Sequence, residues 1–136
     1  MTNKELKSKV MALGNRLAAQ GNDRSAAFVR AWQIVKAGTL ELAVKGVSFG
    51  NRQEALRRLA AYDPASIRAV LVPEPTNPAD PAAVAVIVGI NGGKGLYRLG
   101  YVPRTMTREV KALRNQLPAL RILDGDIRGA RLRLAV

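Results

Sequence analysis

The chain has 136 residues, 48% of them hydrophobic and 4% aromatic, which predicts one ordinary globular core built mostly from aliphatic side chains. It contains no cysteine and no histidine, so disulfides, thiolate metal sites and Ser-His or Cys-His nucleophile pairs are excluded. Its formal net charge of +12 favours a polyanionic partner, because cations attract phosphate backbones and release their counterions. We expect that partner to be nucleic acid; the alternative is a basic surface that only aids solubility.

The basic excess lies at the two ends of the chain. Residues 1–38 carry 7 cationic and 2 acidic side chains, and residues 101–136 carry 8 and 3. Arginine supplies 15 of the 22 cations, and its planar donor fork suits phosphate. No apolar run approaches the roughly 20 residues of a membrane helix, and the charged N-terminus lacks the pattern of a secretory signal. The sequence therefore predicts a soluble, cytoplasmic protein with no membrane partner.

The N-terminal part of the chain predicts a helical hairpin. Thr2 and Glu5 form a capping-box pattern at the start of the first helix. Apolar residues follow at helical spacing: Leu6, Val10, Leu13 and Leu17. The second helix is expected to begin at Asn22 or Asp23 and to end at Gly38.

Trp32 has two interpretations. An exposed tryptophan can serve as a platform on which nucleic-acid bases stack. However, Trp32 lies at helical spacing with Phe28 and Val35, and this pattern favours a place in the core.

From Thr39 the period of hydrophobicity changes from helical to two, which predicts a strand that continues to about Phe49. A helix capped by Asn51 follows, with Leu56 and Leu59 facing inward. Asn91-Gly92 favours a tight hairpin turn. The other predicted elements are strands at Ile67–Val72, Val84–Ile90 and Leu96–Val102, a helix from Thr105 or Thr107 that carries Met106, Val110, Leu113 and Leu117, and a final strand pair formed by Leu120–Leu123 and residues 130–136.

This order of elements favours the α+β class, mainly β. About six antiparallel strands are expected to close into a small barrel with two inserted helices, preceded by the helical hairpin. The predicted domains are residues 1–38, the hairpin, and residues 39–136, the barrel.

One pattern suggests catalysis, since Glu109-Val110-Lys111 matches the E-x-K ending of a metal-dependent nuclease motif. That chemistry needs the motif on a strand, whereas here it falls in a predicted helix with Val110 inward, so a surface ion pair is favoured. The stretches "NGGKG" (91–95) and "DGD" (124–126) favour turns over phosphate or calcium sites. The sequence therefore predicts no catalytic residue, metal or cofactor.

The stretch "LVPEPTNPADPAAVAVIV" (71–88) holds four of the seven prolines directly before an apolar run. Proline fixes its own backbone and restricts the residue before it, so this loop has few conformations available. It is expected to act either as a rigid crossover between strands or as an edge that holds a ligand.

Three stretches follow one another in residues 44–117: "VKGVSFGNRQEALRRL", then "LVPEPTNPADPAAVAV" and then "LGYVPR". A resemblance to a HIRAN domain depends on these three stretches in this order. It implies a modified OB-like or SH3-like barrel that binds single-stranded DNA and captures its 3′ end, without catalysis, and we expect the last strand pair to complete this barrel. Eukaryotic relatives are attached to DNA-remodelling helicases, whereas many bacterial and phage versions look freestanding, and the chain resembles the latter.

The resemblance also implies a set of DNA-binding residues. Asn77 and Asp80 match polar loop positions near the terminal nucleotide, where they accept hydrogen bonds from a sugar hydroxyl or a base amino group. The alternative is that both side chains only bond their own loop backbone as Asx-turns. Tyr101 and Arg104 match positions that face the DNA, where an aromatic ring stacks on a base and a guanidinium holds phosphate.

Two further positions, Phe49 and Arg108, complete the predicted DNA-binding set. Phe49 matches an aromatic-rich site. The chain departs from end-binding relatives at Ala79, which often is tyrosine there and would supply a stacking wall.

The leading interpretation is therefore a noncatalytic module that binds single-stranded DNA and recognises a 3′ end with a free hydroxyl, in DNA repair or replication. One alternative is an adaptor that recruits a helicase or nuclease, or forms a homodimer through residues 1–38, with the barrel as a scaffold. The less favoured alternative is a metal-dependent nuclease.

Overall fold

The computed structural model describes residues 2–21, 23–93, 95–113 and 118–136. Within these residues the chain forms four α-helices and six antiparallel strands, which confirms the predicted α+β class. The helices are α1 (Asn3–Ala19), α2 (Arg24–Ala37), α3 (Arg52–Leu59) and α4 (Thr107–Ala112). The strands are β1 (Thr39–Ala43), β2 (Ile67–Pro73), β3 (Val84–Ile90), β4 (Leu96–Tyr101), β5 (Ala119–Ile122) and β6 (Ala130–Ala135).

The chain divides into two compact units. The first comprises Met1–Leu40, Arg108–Gln116 and Leu134–Val136, and the second comprises Glu41–Thr107 and Leu117–Arg133. The predicted domain boundary between residues 38 and 39 stays a prediction, because compactness alone does not define a domain.

Helices α1 and α2 form the predicted hairpin. The Thr2 hydroxyl accepts a hydrogen bond from the Glu5 amide at 3.1 Å, and the Thr2 amide donates to the Glu5 carboxylate at 3.3 Å, so the capping box is confirmed. Asp23 caps α2 by accepting from the Ala26 amide at 3.2 Å, while Asn22 lies outside the described residues. Gly38 ends α2 with a φ of 77°, a left-handed conformation that favours glycine.

The prediction that Trp32 lies in the core is wrong, since Trp32 is 40% exposed. The buried face of α2 is made of smaller residues: Ala27, Ala31, Ile34 and Val35. Phe28 lies over Gly14, where a Cβ atom would come within 2.6 Å of the ring. Trp32 therefore lies beside this buried face instead of on it.

The six strands form two three-stranded sheets, in the orders β1-β6-β5 and β2-β3-β4. Lys45, just beyond β1, forms a bridge with Tyr101 of β4, and β2 lies beside β5. Within the described residues no ladder joins β2 to β5, and a closed barrel needs a ladder at every strand boundary. The predicted barrel is therefore replaced by two sheets that meet at these two places.

The first strand is shorter than predicted, ending at Ala43 instead of near Phe49. Gly46 has a φ of 81° and turns the chain away from the sheet, so Phe49 lies in a turn. Helix α3 follows at the expected place with Leu56 and Leu59 buried, but Asn51 makes no side-chain capping bond.

The remaining elements follow the predicted pattern. The β3–β4 turn has Gly92 at a φ of 80°, whereas Lys94 lies outside the described residues. Val110 of α4 is buried as expected, and the predicted inward position of Leu117 also lies outside the described residues. None of the helices in the described part of the chain combines the length and apolar character that a membrane span requires.

Candidate nucleic-acid interface

The loop between β2 and β3 is built from two tight turns. The Asn77 amide donates to the Glu74 carbonyl at 3.0 Å, and the Ala83 amide donates to the Asp80 carbonyl at 3.1 Å. Each turn has a proline at its second position, where the fixed φ of proline matches the turn: Pro75 and Pro81. The prolines therefore hold this loop in one shape.

Asn77 and Asp80 reinforce the loop as Asx-turns. The Asn77 Oδ1 atom accepts from the amides of Ala79 at 2.9 Å and Asp80 at 3.2 Å. The Asp80 Oδ1 atom accepts from the Ala82 amide at 3.0 Å. Both side chains thus bond their own loop backbone, which was the alternative interpretation of these residues. The Asp80 Oδ2 atom lies on the other side of that carboxylate and faces Arg104.

The carboxylate of Glu74 connects the loop to β4. Its Oε1 atom accepts from the Tyr101 hydroxyl at 3.0 Å and from the Asn77 Nδ2 amide at 3.1 Å. Its Oε2 atom lies 2.9 Å from Nη2 of Arg98, and the Glu74 side chain is only 17% exposed. We call these four residues the Glu74 cluster. Glu74 and Arg98 were missed by sequence reasoning, although Glu74 lies inside the quoted proline motif.

A β-bulge explains how Arg98 and Tyr101 reach the same carboxylate. The register between β3 and β4 shifts so that Val86 pairs with Gly100, while Ile87 pairs with Arg98. Leu99 is therefore an extra residue in β4, and such an insertion changes which face the following side chains occupy. Simple alternation would place residues 98 and 101 on opposite faces, so nothing in the pattern of β4 pointed to Arg98.

Gly100 allows the backbone to approach closely at this point. The amides of Lys45 and Tyr101 donate to each other's carbonyls at 2.8 and 2.9 Å. A Cβ atom on Gly100 would collide with the Lys45 carbonyl oxygen and come within 2.8 Å of a Val44 methyl carbon. Glycine at this position therefore fixes Tyr101 next to the segment that leads to Phe49.

The pKa of Tyr101 is raised above its ordinary value of 10.0. The larger cause is partial burial, and the next is the hydrogen bond that the phenol donates to Glu74. The phenol is therefore neutral near pH 7 and acts as a hydrogen-bond donor to the carboxylate.

The second unit brings four of the six predicted site residues together. The Arg104 Nε atom donates to the Asp80 Oδ2 atom at 3.2 Å, and Arg104 remains 78% exposed. This ion pair joins the Asn77–Asp80 part of the loop to the turn that follows Tyr101. Their role in binding DNA stays a prediction.

Phe49 and Arg108 lie elsewhere in the chain. Phe49 is 68% exposed in the turn after Lys45, close to Arg52, whose guanidinium donates to the Gly46 carbonyl at 2.7 Å. Arg108 belongs to α4 and to the first unit, where its guanidinium lies near Gly21. The role of both residues in binding DNA also stays a prediction.

A cavity of about 400 Å³ lies beside the loop. Its lining consists of loop prolines together with polar side chains: Pro73, Glu74, Pro75, Thr76, Asn77, Pro78, Arg98 and Tyr101. A larger cavity of about 670 Å³ lies between α3 and the β3–β4 hairpin, but none of the predicted site residues lines it. The loop cavity is the better candidate site, because the Glu74 carboxylate, the Arg98 guanidinium and the polar groups of Asn77 and Tyr101 meet there.

Among the described residues, no group of three or more acidic side chains could hold a metal ion. Glu109 of the E-x-K pattern forms an ion pair with Arg30, with 3.0 Å between Oε1 and Nε. Its side chain is only 15% exposed, so the prediction that this charge faces solvent is wrong.

The fold and the loop together define a small α+β module with a rigid, polar loop beside a cavity. The HIRAN domain family model matches residues 38–121, more than half of the chain, so the chain belongs to the HIRAN family. HIRAN domains are generally DNA-binding modules. No curated protein and no solved structure matches the chain.

Proposed function

We propose that the chain binds single-stranded DNA at the loop cavity and recognises a 3′ end with a free hydroxyl. The observation that carries the proposal is that the rigid loop presents two carboxylates, Glu74 and Asp80, and that each is ion-paired with a guanidinium group from β4 or the turn after it, Arg98 and Arg104 respectively. In a family of DNA-binding modules, such a loop offers acceptors for a hydroxyl and donors for a phosphate.

The charges of Asp80 and Arg104 assign different roles to these two side chains. A free 3′-hydroxyl donates a hydrogen bond to a carboxylate, whereas a 3′-phosphate would bring negative charge against Asp80. Arg104 is exposed enough to move toward the phosphate on the 5′ side of the terminal sugar. The prolines have already restricted the loop, so binding loses little further conformational entropy there.

The first experiment measures the fluorescence anisotropy of three labelled single strands. One ends in a 3′-hydroxyl, one ends in a 3′-phosphate, and one is circular and has no end. We expect the 3′-hydroxyl strand to bind most tightly across a salt series. Equal and steeply salt-dependent binding to all three would mean that only a basic surface contacts DNA, and would refute end recognition.

Asp80→Asn tests the carboxylate while retaining an oxygen that accepts from the Ala82 amide. We expect the ratio of affinities for 3′-hydroxyl and 3′-phosphate ends to fall, because the repulsion of the phosphate is removed. Asp63→Asn is a matched control, since Asp63 also precedes a proline and accepts from the amide of Ala65 at 3.0 Å. An unchanged ratio in Asp80→Asn would remove Asp80 from end recognition.

Arg104→Gln tests the phosphate contact. Arg58 provides the control, because Arg104 and Arg58 are both 78% exposed and each is paired with one carboxylate. We expect Arg104→Gln to weaken binding severalfold and Arg58→Gln to weaken it much less. Equal losses would show that only total charge matters.

Ala79→Tyr tests whether the missing stacking wall limits end binding. Ala79 is exposed and only its amide bonds Asn77, so a tyrosine ring fits without disturbing the loop. Base stacking contributes about 1–3 kcal/mol, so affinity for the 3′ end should rise at least about fivefold. Ala82→Tyr is the control, since Ala82 is also exposed and its amide bonds Asp80 in the same way. An equal gain in both variants would contradict a specific wall at residue 79.

We further propose that the chain acts without catalysis. Labelled strands incubated with the protein and magnesium are then expected to stay intact. Cleavage that increases with protein concentration and persists through purification would instead support the nuclease alternative.

A further inference from the structure

We propose that α2 carries a second surface for single-stranded nucleic acid, separate from the loop cavity. The surface consists of Arg24, Phe28, Trp32 and Lys36, which we call the aromatic ridge. These residues recur every fourth position and therefore follow one side of the helix over about 18 Å. Residues 24–37 lie outside the stretch that matches the family model.

Each ring of the aromatic ridge is paired with a cation. The Arg24 Cζ atom lies 5.1 Å from the centroid of the Phe28 ring, and the Lys36 Nζ atom lies 5.6 Å from that of Trp32. Trp32 is 40% exposed, whereas the Phe28 ring packs over Gly14 of α1, so Trp32 is the ring of the ridge that is available to stack on a base. A stacking aromatic beside a cation is the combination that binds single strands, with the ring on a base and the cation on the backbone.

The charge around the ridge selects an anionic occupant. Helix α2 contains no acidic residue. Asp23 and Glu5, the two acidic residues among residues 1–38, are both engaged in capping helix N-termini. Glu109, which belongs to the same unit, is ion-paired with Arg30.

A protein occupant fits this surface less well. Each hairpin carries 7 cationic and 2 acidic side chains, so two copies docked through the ridge would place positive charge against positive charge. Like charges across an interface are unfavourable. A strand with unstacked bases supplies both the negative charge and the flat apolar faces that the ridge matches, whereas a duplex keeps its bases stacked inside.

Trp32 is the only tryptophan in the chain, so its fluorescence reports on the ridge directly. The probe is oligodeoxythymidylate added to the full-length protein, with binding followed in parallel by anisotropy of a labelled strand. We expect DNA binding to quench Trp32 and to shield it from acrylamide. The same quenching should persist in Arg104→Gln, in which the loop site is impaired.

Two substitutions give quantitative readouts. Trp32→Ala should weaken binding at least about fivefold, in proportion to one lost stacked base. Met11→Ala is the control, because Met11 is an exposed apolar residue of α1. Lys36→Gln should reduce the slope of log K against log salt by about 0.7, the contribution of one phosphate contact to a single strand.

Several outcomes would overturn the proposal. The ridge is not a DNA surface if anisotropy shows saturated binding while Trp32 fluorescence stays unchanged, and that result leaves the loop site intact. Loss of quenching in Arg104→Gln would show that the two surfaces are not separate. A fluorescence change that depends on protein concentration without DNA would assign the ridge to self-association.

Discussion

Replacement of Glu74 by alanine should destabilise the proline loop more than the partial exposure of the Glu74 side chain suggests. Two hydrogen bonds to the Glu74 carboxylate, from Tyr101 and Asn77, contribute about 1–1.5 kcal/mol each at this degree of burial. The ion pair with Arg98 adds about 0.5 kcal/mol, because that guanidinium is 53% exposed. The alanine variant also leaves the Tyr101 hydroxyl without its acceptor. We expect the free energy of unfolding to fall by about 2.5–3.5 kcal/mol.

Urea unfolding followed by far-ultraviolet circular dichroism measures this loss. With a typical slope for a small protein, the midpoint should fall by about 1 M or more. Glu54→Ala is the control, because Glu54 forms a single exposed pair with Arg58 one turn along α3. Such pairs contribute about 0.3–0.5 kcal/mol, and alanine favours the helix, so little change is expected. If Glu74→Ala has no larger effect than Glu54→Ala, the Glu74 cluster does not hold the loop.

The remaining predictions concern the backbone contact and the phenol of the same site. Gly100→Ala should lower the free energy of unfolding by about 1–3 kcal/mol, because the Lys45 carbonyl oxygen is part of the backbone and has little freedom to move aside. Gly95→Ala, where a Cβ atom meets nothing within 4 Å, should change it little; equal effects would contradict the clash. Difference absorbance titration of the protein against Tyr101→Phe should give a Tyr101 pKa above 10.0, and Glu74→Gln should lower it. Since the raised pKa favours the neutral phenol, its contribution to stability is present below pH 10 and is lost as the pH rises through the folded pKa. A pKa that Glu74→Gln leaves unchanged would contradict the assigned cause.

Most of the fold follows from local patterns that the sequence carries. The capping box at Thr2, the glycine after α2 and the buried run of β3 act within a few residues, so their structural effects follow from the adjacent sequence. Turn chemistry likewise predicted the β3–β4 hairpin. The prediction of a closed barrel was wrong, because closure depends on pairing between strands far apart in the chain, which local patterns do not report.

The site was harder to predict, because its geometry depends on contacts that span the sequence. The quoted motif contained Glu74, but its role appears only when residues 74 and 98 lie side by side. The bulge at Leu99 interrupts the alternation of side chains between the two faces of β4, so this alternation did not place Arg98 on the same face as Tyr101. Trp32 was misplaced because helical spacing shows which residues share a side of a helix but not which side is buried, and the buried side of α2 is formed by Ala27, Ala31, Ile34 and Val35.

The loop site is preorganised, and this has a consequence for the proposed binding of a strand. Among the described residues, no buried side-chain polar atom lacks a hydrogen-bond partner. The carboxylates of Glu74 and Asp80 are already paired with Arg98 and Arg104, so a strand that bound here would have to exchange these partners instead of filling vacant ones. Such an exchange adds little net affinity, but a wrong end group leaves a carboxylate opposed by negative charge. The loop would therefore contribute discrimination between ends, while the basic segments at the two ends of the chain contribute most of the salt-dependent affinity.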